Sequence, residues 1–122
     1  MKRILVVDDS AAMRQLMTLT LEKEGYEVIT KNNGREAVSY LADENPELDV
    51  IISDINMPEM GGIDLVREIR SNDRFRFTPI VIVTTESEES MKLQGKEAGA
   101  SAWIVKPFEQ DQLISVISQV IL

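Results

Sequence analysis

The sequence predicts an α/β fold: one doubly wound domain with a parallel five-stranded sheet. Three observations lead to this prediction. The chain has 122 residues, which suits one domain. It contains four short apolar runs, as is typical of strands buried on both faces, and a weaker fifth run at 26–30. Segments of helical periodicity follow these runs, so strand and helix alternate five times and we expect helices on both faces of the sheet.

The first half of the chain predicts three strands and two helices. The first strand is the run 4–7, the weaker second strand is 26–30, and the third is 50–52. The first helix has apolar residues at i, i+3 and i+4 spacing and stops at Gly25. Asn45-Pro46 ends the second helix. The apolar faces of these helices contain Met13, Leu16, Met17, Thr20 and Leu21, and then Ala37, Val38, Leu41 and Ala42.

The second half predicts three helices and two further strands. The third helix follows the Gly61-Gly62 break, and residues 71–74 are expected to form a polar turn. Strands are predicted at 80–83 and 103–105, separated by a helix over 88–98 that ends before Gly99. The last helix spans about 109–121. The apolar faces contain Ile63, Leu65, Val66 and Ile69 in the third helix, and Leu113, Ile114, Val116, Ile117 and Val120 in the last.

Composition excludes several classes of function. The chain has 13 basic and 21 acidic residues, so its net charge of −8 argues against nucleic acid as a direct partner. It has no Cys and no His, which excludes disulfides, thiol catalysis, imidazole bases and His-metal sites. No apolar stretch is long enough for a membrane span or a signal peptide. The absence of Cys suits a cytoplasmic protein.

Chemically active side chains follow four of the five predicted strands. They are Asp8-Asp9 after the first strand, Ser53-Asp54 after the third, Thr84-Thr85-Glu86 at the fourth and Lys106-Pro107 after the fifth. The second strand ends in Lys31-Asn32-Asn33-Gly34, an ordinary turn. Because open α/β sheets place sites beyond the carboxyl ends of their strands, these side chains should meet at one edge.

Three clustered carboxylates repel one another. At 4 Å each pair costs ~1 kcal/mol in water, and ~4 kcal/mol at an effective dielectric constant of 20. A hard cation relieves this repulsion, and Mg²⁺ takes one or two carboxylates together with waters and a phosphate oxygen. Lys106 adds a positive charge and Thr84 a hydroxyl donor. These groups are the parts needed to place a phosphoryl group on a carboxylate.

Each residue also has a plain structural interpretation. An Asp-Asp pair after a strand often caps a helix, Thr at a strand end reflects β propensity, and Lys-Pro is common in loops. The coincidence of all four at strand ends favours a functional site.

Four motifs carry a resemblance to a known family. They are Ile-Leu-Val-Val-Asp-Asp-Ser at 4–10, Ile-Ile-Ser-Asp-Ile-Asn-Met-Pro at 51–58, Ile-Val-Thr-Thr-Glu at 82–86 and Gly-Ala-Ser-Ala-Trp-Ile-Val-Lys-Pro-Phe at 99–108. The whole chain, 1–122, resembles the receiver domain of two-component response regulators, most closely the stand-alone, CheY-like chemotaxis regulators. The resemblance implies a flavodoxin-like (βα)5 domain with strand order 2-1-3-4-5.

The resemblance also implies roles for the site residues. Asp54 resembles the phosphoacceptor, Asp9 a direct Mg²⁺ ligand, and Asp8 an acid that acts mainly through a coordinated water. The backbone carbonyl of Asn56 would complete the metal site. Lys106 resembles the lysine that pairs with the phosphate, and its bond to Pro107 is cis in such receivers.

Further positions are similar to the residues that control switching and signal lifetime. Thr84 resembles the switch hydroxyl, and Asn56 and Glu86 are the lifetime-tuning pair of fast-decaying chemotaxis regulators. Trp103 stands at the switch aromatic, where Tyr or Phe is usual, and we expect its ring to be partly exposed. Thr85 replaces a usual Ala or Gly. Gly95 is interpreted either as a sign of a soft fourth helix or as surface tolerance.

The implied function is that of a single-domain response regulator. Asp54 would be phosphorylated with Mg²⁺ by a sensor histidine kinase or a small phosphodonor, and the protein would be no enzyme beyond its own phosphorylation and autodephosphorylation. Nothing follows Leu122 in the sequence, so output by protein binding is expected, without direct DNA binding or a membrane. The implied output face contains Met91, Lys92, Lys96 and Trp103, on the fourth helix, fifth strand and fifth helix. The implied target is a flagellar motor switch component or another chemotaxis protein.

Other hypotheses remain open at this point. Within the family, the chain could be a phosphorelay intermediate or a receiver excised from a larger regulator. A Mg²⁺-dependent phosphatase with an aspartyl-phosphate intermediate is a different class. Such enzymes resembling haloacid dehalogenases carry Asp-x-Asp after the first strand and a cap, whereas this chain has adjacent acids and no room for a cap. A nucleotide- or flavin-binding module is a third class, but no Gly-rich loop follows Val7.

Overall fold

Five parallel strands form one sheet in the computed structural model, which describes residues 1–121. The strands are β1 (Arg3–Val7), β2 (Glu27–Lys31), β3 (Val50–Ser53), β4 (Ile80–Thr84) and β5 (Ala102–Val105). Their order in the sheet is β2-β1-β3-β4-β5. This arrangement confirms the predicted fold class and the strand order implied by the resemblance.

Five α-helices connect and follow these strands. They are α1 (Ala11–Lys23), α2 (Gly34–Glu44), α3 (Gly62–Ser71), α4 (Glu89–Ala98) and α5 (Gln110–Val120). Each begins and ends within a few residues of its predicted bounds. None of the helices described is long and apolar enough to cross a membrane.

The sheet has a hydrophobic core on each face because its strand residues alternate in direction. One core joins strand residues such as Leu5 and Ile82 to Leu41, Leu65 and Ile69 of α2 and α3. The other core joins strand residues such as Val6, Ile52 and Val83 to Met17 and Leu21 of α1 and Leu113 and Ile117 of α5. Each of these aliphatic side chains stabilises the fold by roughly 1.5–3 kcal/mol when fully buried.

Local side-chain bonds determine where α1 and α2 begin. The Ser10 hydroxyl accepts a hydrogen bond from the Met13 backbone N–H at 3.2 Å, and Asn33 Oδ1 accepts one from Glu36 N–H at 2.8 Å. Ser10 is therefore the residue that caps α1, and the interpretation of Asp8-Asp9 as a helix cap is wrong. Asn45 ends α2 in the left-handed conformation, with φ 46°.

The structure corrects the prediction of a polar turn at 71–74. Ser71 still belongs to α3, and Asp73–Phe75 form a short 3₁₀ helix whose Phe75 is buried. The Arg70 guanidinium donates hydrogen bonds to the carbonyls of Phe75, Thr78 and Gly99, at 2.6–3.1 Å. Burial lowers the pKa of Arg70. The buried ring of Phe75 and the bonds from Arg70 to the carbonyls of Phe75 and Thr78 order a segment whose polar sequence predicted a turn.

The structure also corrects the interpretation of Gly95 as a surface residue. Gly95 is buried inside α4 rather than exposed, and a Cβ there would lie 2.7 Å from Cζ3 of the Trp103 ring. Glycine is present because the indole occupies the space that a side chain would need, so surface tolerance does not explain it. The softness of α4 stays a prediction.

Candidate functional site

The carboxyl ends of two adjacent strands, β1 and β3, bring three carboxylates together. Val7 pairs with Ser53 in the parallel register of β1 and β3, so Asp8 and Asp54 both lie one residue beyond the aligned strand ends. Asp8 is fully buried, Asp54 is 7% exposed and Asp9 is exposed. One carboxylate oxygen from each of the three residues lies within 4.8 Å of the other two.

Lys106 closes the cluster from β5. Its Nζ donates hydrogen bonds to Oδ2 of Asp8 at 2.9 Å and to Oδ2 of Asp54 at 2.7 Å. Burial lowers the pKa of Lys106, but hydrogen bonds and charge attraction from the two carboxylates outweigh it, so its pKa is raised overall. The amine is therefore a cation at neutral pH. The Lys106-Pro107 peptide bond is cis.

The loop after β3 holds Asp54 through backbone contacts. Oδ1 of Asp54 accepts a hydrogen bond from the Asn56 N–H at 3.0 Å, and its carbonyl accepts one from the Ser53 hydroxyl at 2.9 Å. Gly62 opens α3 against this loop, and a Cβ on it would lie 2.7 Å from the Asp54 carbonyl oxygen. The close approach needs glycine at this position.

Asp8 is fixed through its backbone and its carboxylate. Its N–H donates to the carbonyl of Lys31 at 3.2 Å, and its Oδ1 accepts from the Ser10 N–H at 2.9 Å. The guanidinium of Arg14 donates to the Asp8 carbonyl at 2.7 Å. Asp9, the next residue, points an exposed carboxylate toward the mouth of the cluster.

Thr84 and Trp103 lie beside the cluster on β4 and β5. Thr84 is fully buried at the end of β4, and its hydroxyl oxygen accepts a long hydrogen bond of 3.4 Å from the Glu86 N–H. The Trp103 ring is half-buried, and its Nε1 donates to the Glu86 carbonyl at 3.0 Å. Thr85 is exposed. Thr84 and Trp103 are thus both hydrogen-bonded to the backbone of Glu86, whereas the backbone of Asn56 is bonded to Asp54 instead.

The donor set fits a hard divalent cation. All the candidate ligands are oxygen atoms, and three carboxylates with one lysine carry a net charge of −2. Oxygen ligands with this charge suit Mg²⁺ or a similar ion, whereas a soft metal would require sulfur or imidazole. Asp8, Asp9 and Asp54 are the residues that could hold it.

Sequence reasoning missed three residues that shape this site. From the sequence, Ser10 is recognised only as part of a motif and Gly62 only as a helix break, and Arg14 has no predicted role. A Ser directly before the first turn of a helical segment is a recognisable helix-cap signal. Nothing in the sequence reveals that Gly62 touches Asp54 or that Arg14 reaches Asp8, since both contacts depend on the packing of helices against the sheet edge.

Comparison with known proteins gives one family. The sequence model described as "response regulator receiver domain" matches residues 4–118. The chemotaxis protein CheY1 of Helicobacter pylori is 45% identical over 107 residues, which cover 87% of this chain and 86% of that protein.

Solved structures agree with this result. The chemotaxis response regulator CheY4 of Vibrio cholerae superposes with a TM-score of 0.93 at 42% identity, covering 99% of each chain. The response regulator TrrA of Thermotoga maritima, in complex with Mg²⁺ and BeF, superposes with a TM-score of 0.86 at 35% identity, covering 99% of this chain and 100% of that one.

Proposed function

The chain belongs to the response regulator receiver domain family, and from this premise we propose that it is a stand-alone regulator switched by phosphorylation of Asp54. Receiver domains of the CheY type take phosphate from histidine kinases and act on other proteins. Chemotaxis is the proposed pathway, because CheY1 and CheY4 match most of this chain and of their own. The proposed location is the cytoplasm.

The position of Asp54 supports this proposal more than any other observation. Its carboxylate lies between the Lys106 amine at 2.7 Å and two further acids. In the proposed reaction an Asp54 oxygen bonds to the phosphorus of a phosphohistidine, the P–N bond breaks, and the imidazole leaves with its electron pair and takes up a proton. This chain has no His, so the donor is another protein or a small acyl phosphate.

The other site residues have supporting roles in the proposal. Mg²⁺ would be held by Asp8, Asp9, Asp54 and the backbone carbonyl of Asn56, and when bound it would supply positive charge against the phosphoryl oxygens. Lys106 pairs with the same oxygens, and Thr84 donates its hydroxyl to them. Asn56 and Glu86 set the lifetime of the acyl phosphate by controlling the approach of water.

Output is proposed to occur by reversible protein binding at α4, β5 and α5. A groove of about 350 Å³ on this face is lined by Lys92, Lys96, Trp103 and the small residues 100–102. The net charge of −8 disfavours direct DNA binding. A flagellar motor switch component is the proposed type of target.

Phosphoryl labelling tests the assignment. Wild-type protein incubated with acetyl phosphate and Mg²⁺ should gain one acid-stable, base-labile phosphoryl group by mass spectrometry. Asp54→Asn should lose rapid labelling, while Asp64→Asn, which changes an exposed acid on α3, should keep it. Labelling of Asp54→Asn at the wild-type rate would contradict the assignment.

Two further measurements separate the alternatives. Sustained turnover of a generic phosphoester would favour a phosphatase, whereas a regulator should release only the phosphate that it carries. Capture of a motor switch protein by the beryllofluoride-loaded chain, and not by the unloaded chain, would support the chemotaxis pathway. A phosphorelay intermediate would instead pass its phosphoryl group to a His of another protein.

A further inference from the structure

Arg14 makes a contact at the acid cluster that none of the roles above uses. It is the fourth residue of α1, it is half-buried, and its Nη1 donates to the backbone carbonyl of Asp8 at 2.7 Å. Its charge has no carboxylate within 4.0 Å among residues 1–121. A cation near the N-terminus of a helix opposes the helix dipole, so helix stability does not explain it.

The carbonyl that Arg14 holds belongs to the peptide bond joining Asp8 to Asp9. This peptide is planar, so a bond to its oxygen restrains the direction in which the chain leaves toward Asp9. No side-chain hydrogen bond or ion pair holds the Asp9 carboxylate in the part of the chain that the structure describes. The backbone alone must therefore place this carboxylate near those of Asp8 and Asp54.

Arg14 contacts a backbone carbonyl and not a carboxylate, and this leaves the carboxylate oxygens available to a cation. An arginine bound to a carboxylate would occupy an oxygen that a cation needs. Arg14 binds the carbonyl instead, and Lys106 takes one oxygen each of Asp8 and Asp54, so Asp9 keeps both oxygens free. Arg14 can thus shape the cluster without competing for its ligands.

We propose that Arg14 is a positioning residue for the cation site: by holding the Asp8 carbonyl, it orients the Asp9 carboxylate toward the ion. This inference rests on the proposed function, because it assumes that the acid cluster binds Mg²⁺. Partners that orient metal ligands typically contribute about tenfold or more to metal affinity.

Titration calorimetry of the full chain with MgCl₂ tests the proposal. Arg14→Ala should weaken Mg²⁺ binding by about tenfold. Arg14→Lys should recover part of the affinity, since only one N–H of Arg14 is used. Arg67→Ala, which removes an exposed arginine on α3 that pairs with Asp64, should bind Mg²⁺ as the wild type does.

Thermal melting of the metal-free protein distinguishes a positioning role of Arg14 from a role in fold stability alone. A positioning role requires that the Mg²⁺ dissociation constant of Arg14→Ala rises whether or not its metal-free melting temperature falls. A lower metal-free melting temperature with an unchanged dissociation constant would overturn the proposal for Arg14 and leave the proposed function intact. Absence of Mg²⁺ binding in the wild type would overturn both.

Discussion

At the scale of single residues, the site depends on one buried cation shared by two carboxylates. Lys106 is the only basic group that contacts them among the described residues, and Asp8 is fully buried. A buried carboxylate that loses its partner retains the cost of desolvation without the compensating attraction.

Lys106→Met should therefore destabilise the fold by about 3 kcal/mol in the absence of metal, measured by urea unfolding in EDTA. Millimolar Mg²⁺ should recover part of this loss, because the ion neutralises the same carboxylates. Lys96→Met, at an exposed lysine, is the control and should change stability by less than about 0.5 kcal/mol. If Lys106→Met also lost less than about 0.5 kcal/mol of stability, the fold would not depend on the pairing of the amine with Asp8 and Asp54.

Asn56 is exposed at the mouth of the site, and its backbone N–H is bonded to the Asp54 carboxylate. Asn56→Arg should slow autodephosphorylation by about tenfold, or ~1.4 kcal/mol of activation free energy, because a long side chain would obstruct the attacking water. Phosphate release from the labelled protein measures this rate. Ser39→Arg, on the exposed side of α2, should decay as the wild type does. Equal rates for all three proteins would mean that lifetime is controlled elsewhere.

At the scale of elements, α4 and β5 are matched in shape. The Trp103 ring fills the space above Gly95, and its Nε1 is bonded to the carbonyl of Glu86 in the loop before α4. A wide aromatic on the strand and a missing side chain on the helix are two parts of one contact. The wide indole of Trp103 therefore fits on β5 because α4 has a glycine at position 95.

Gly95→Ala should destabilise the protein by roughly 1–3 kcal/mol, since the new Cβ would overlap the indole ring. Trp103 emission should shift to the red as the ring moves outward. In a Trp103→Leu background the same change should be neutral or stabilising by up to about 1 kcal/mol, because Ala favours helix more than Gly does. Urea unfolding followed by circular dichroism gives both values. Destabilisation of equal size in both backgrounds would contradict a direct contact.

At the scale of the whole molecule, the acid cluster adds to a chain that already carries a net charge of −8. Repulsion among Asp8, Asp9 and Asp54 opposes the native state, where their oxygens are brought within 4.8 Å. A cation that binds the native state should therefore stabilise the whole fold.

Mg²⁺ at 100 times its dissociation constant should stabilise the protein by about 2.7 kcal/mol, and chelation should reverse the gain. Thermal melting in MgCl₂ and in EDTA measures the effect. Asp9→Ala should lose most of this response, while its stability in EDTA should stay equal to or above that of the wild type because one repulsive charge is gone. A melting temperature that ignores Mg²⁺ in the wild type would exclude a metal site at this cluster.

Much of the architecture could be read from local sequence. The apolar runs at 4–7 and 80–83 predict buried strands because a segment covered on both faces has no polar alternation. Asn45-Pro46 and Gly99 mark helix ends because only certain residues tolerate the backbone conformation there. The gathering of Asp8, Asp54 and Lys106 was also predictable, since parallel strands bring their carboxyl ends to one edge.

The alternation of strands and helices, the acidic edge and the family motifs are predictable from sequence, because they depend on residue type and on neighbours along the chain. Tertiary structure alone decided that Gly95 seats the Trp103 ring, that Arg70 ties α3 to Gly99, and that Arg14 reaches the Asp8 carbonyl. The Arg70 contact joins residues 29 positions apart. Gly95 and Trp103 are close in sequence but belong to a helix and a strand, so their contact depends on how α4 packs against β5, and the Arg14 contact depends on how α1 leaves the sheet edge. Each contact requires its atoms to be placed to within a few tenths of an ångström. Close packing of the helices against the sheet sets this placement, and the periodicity of the sequence does not encode it.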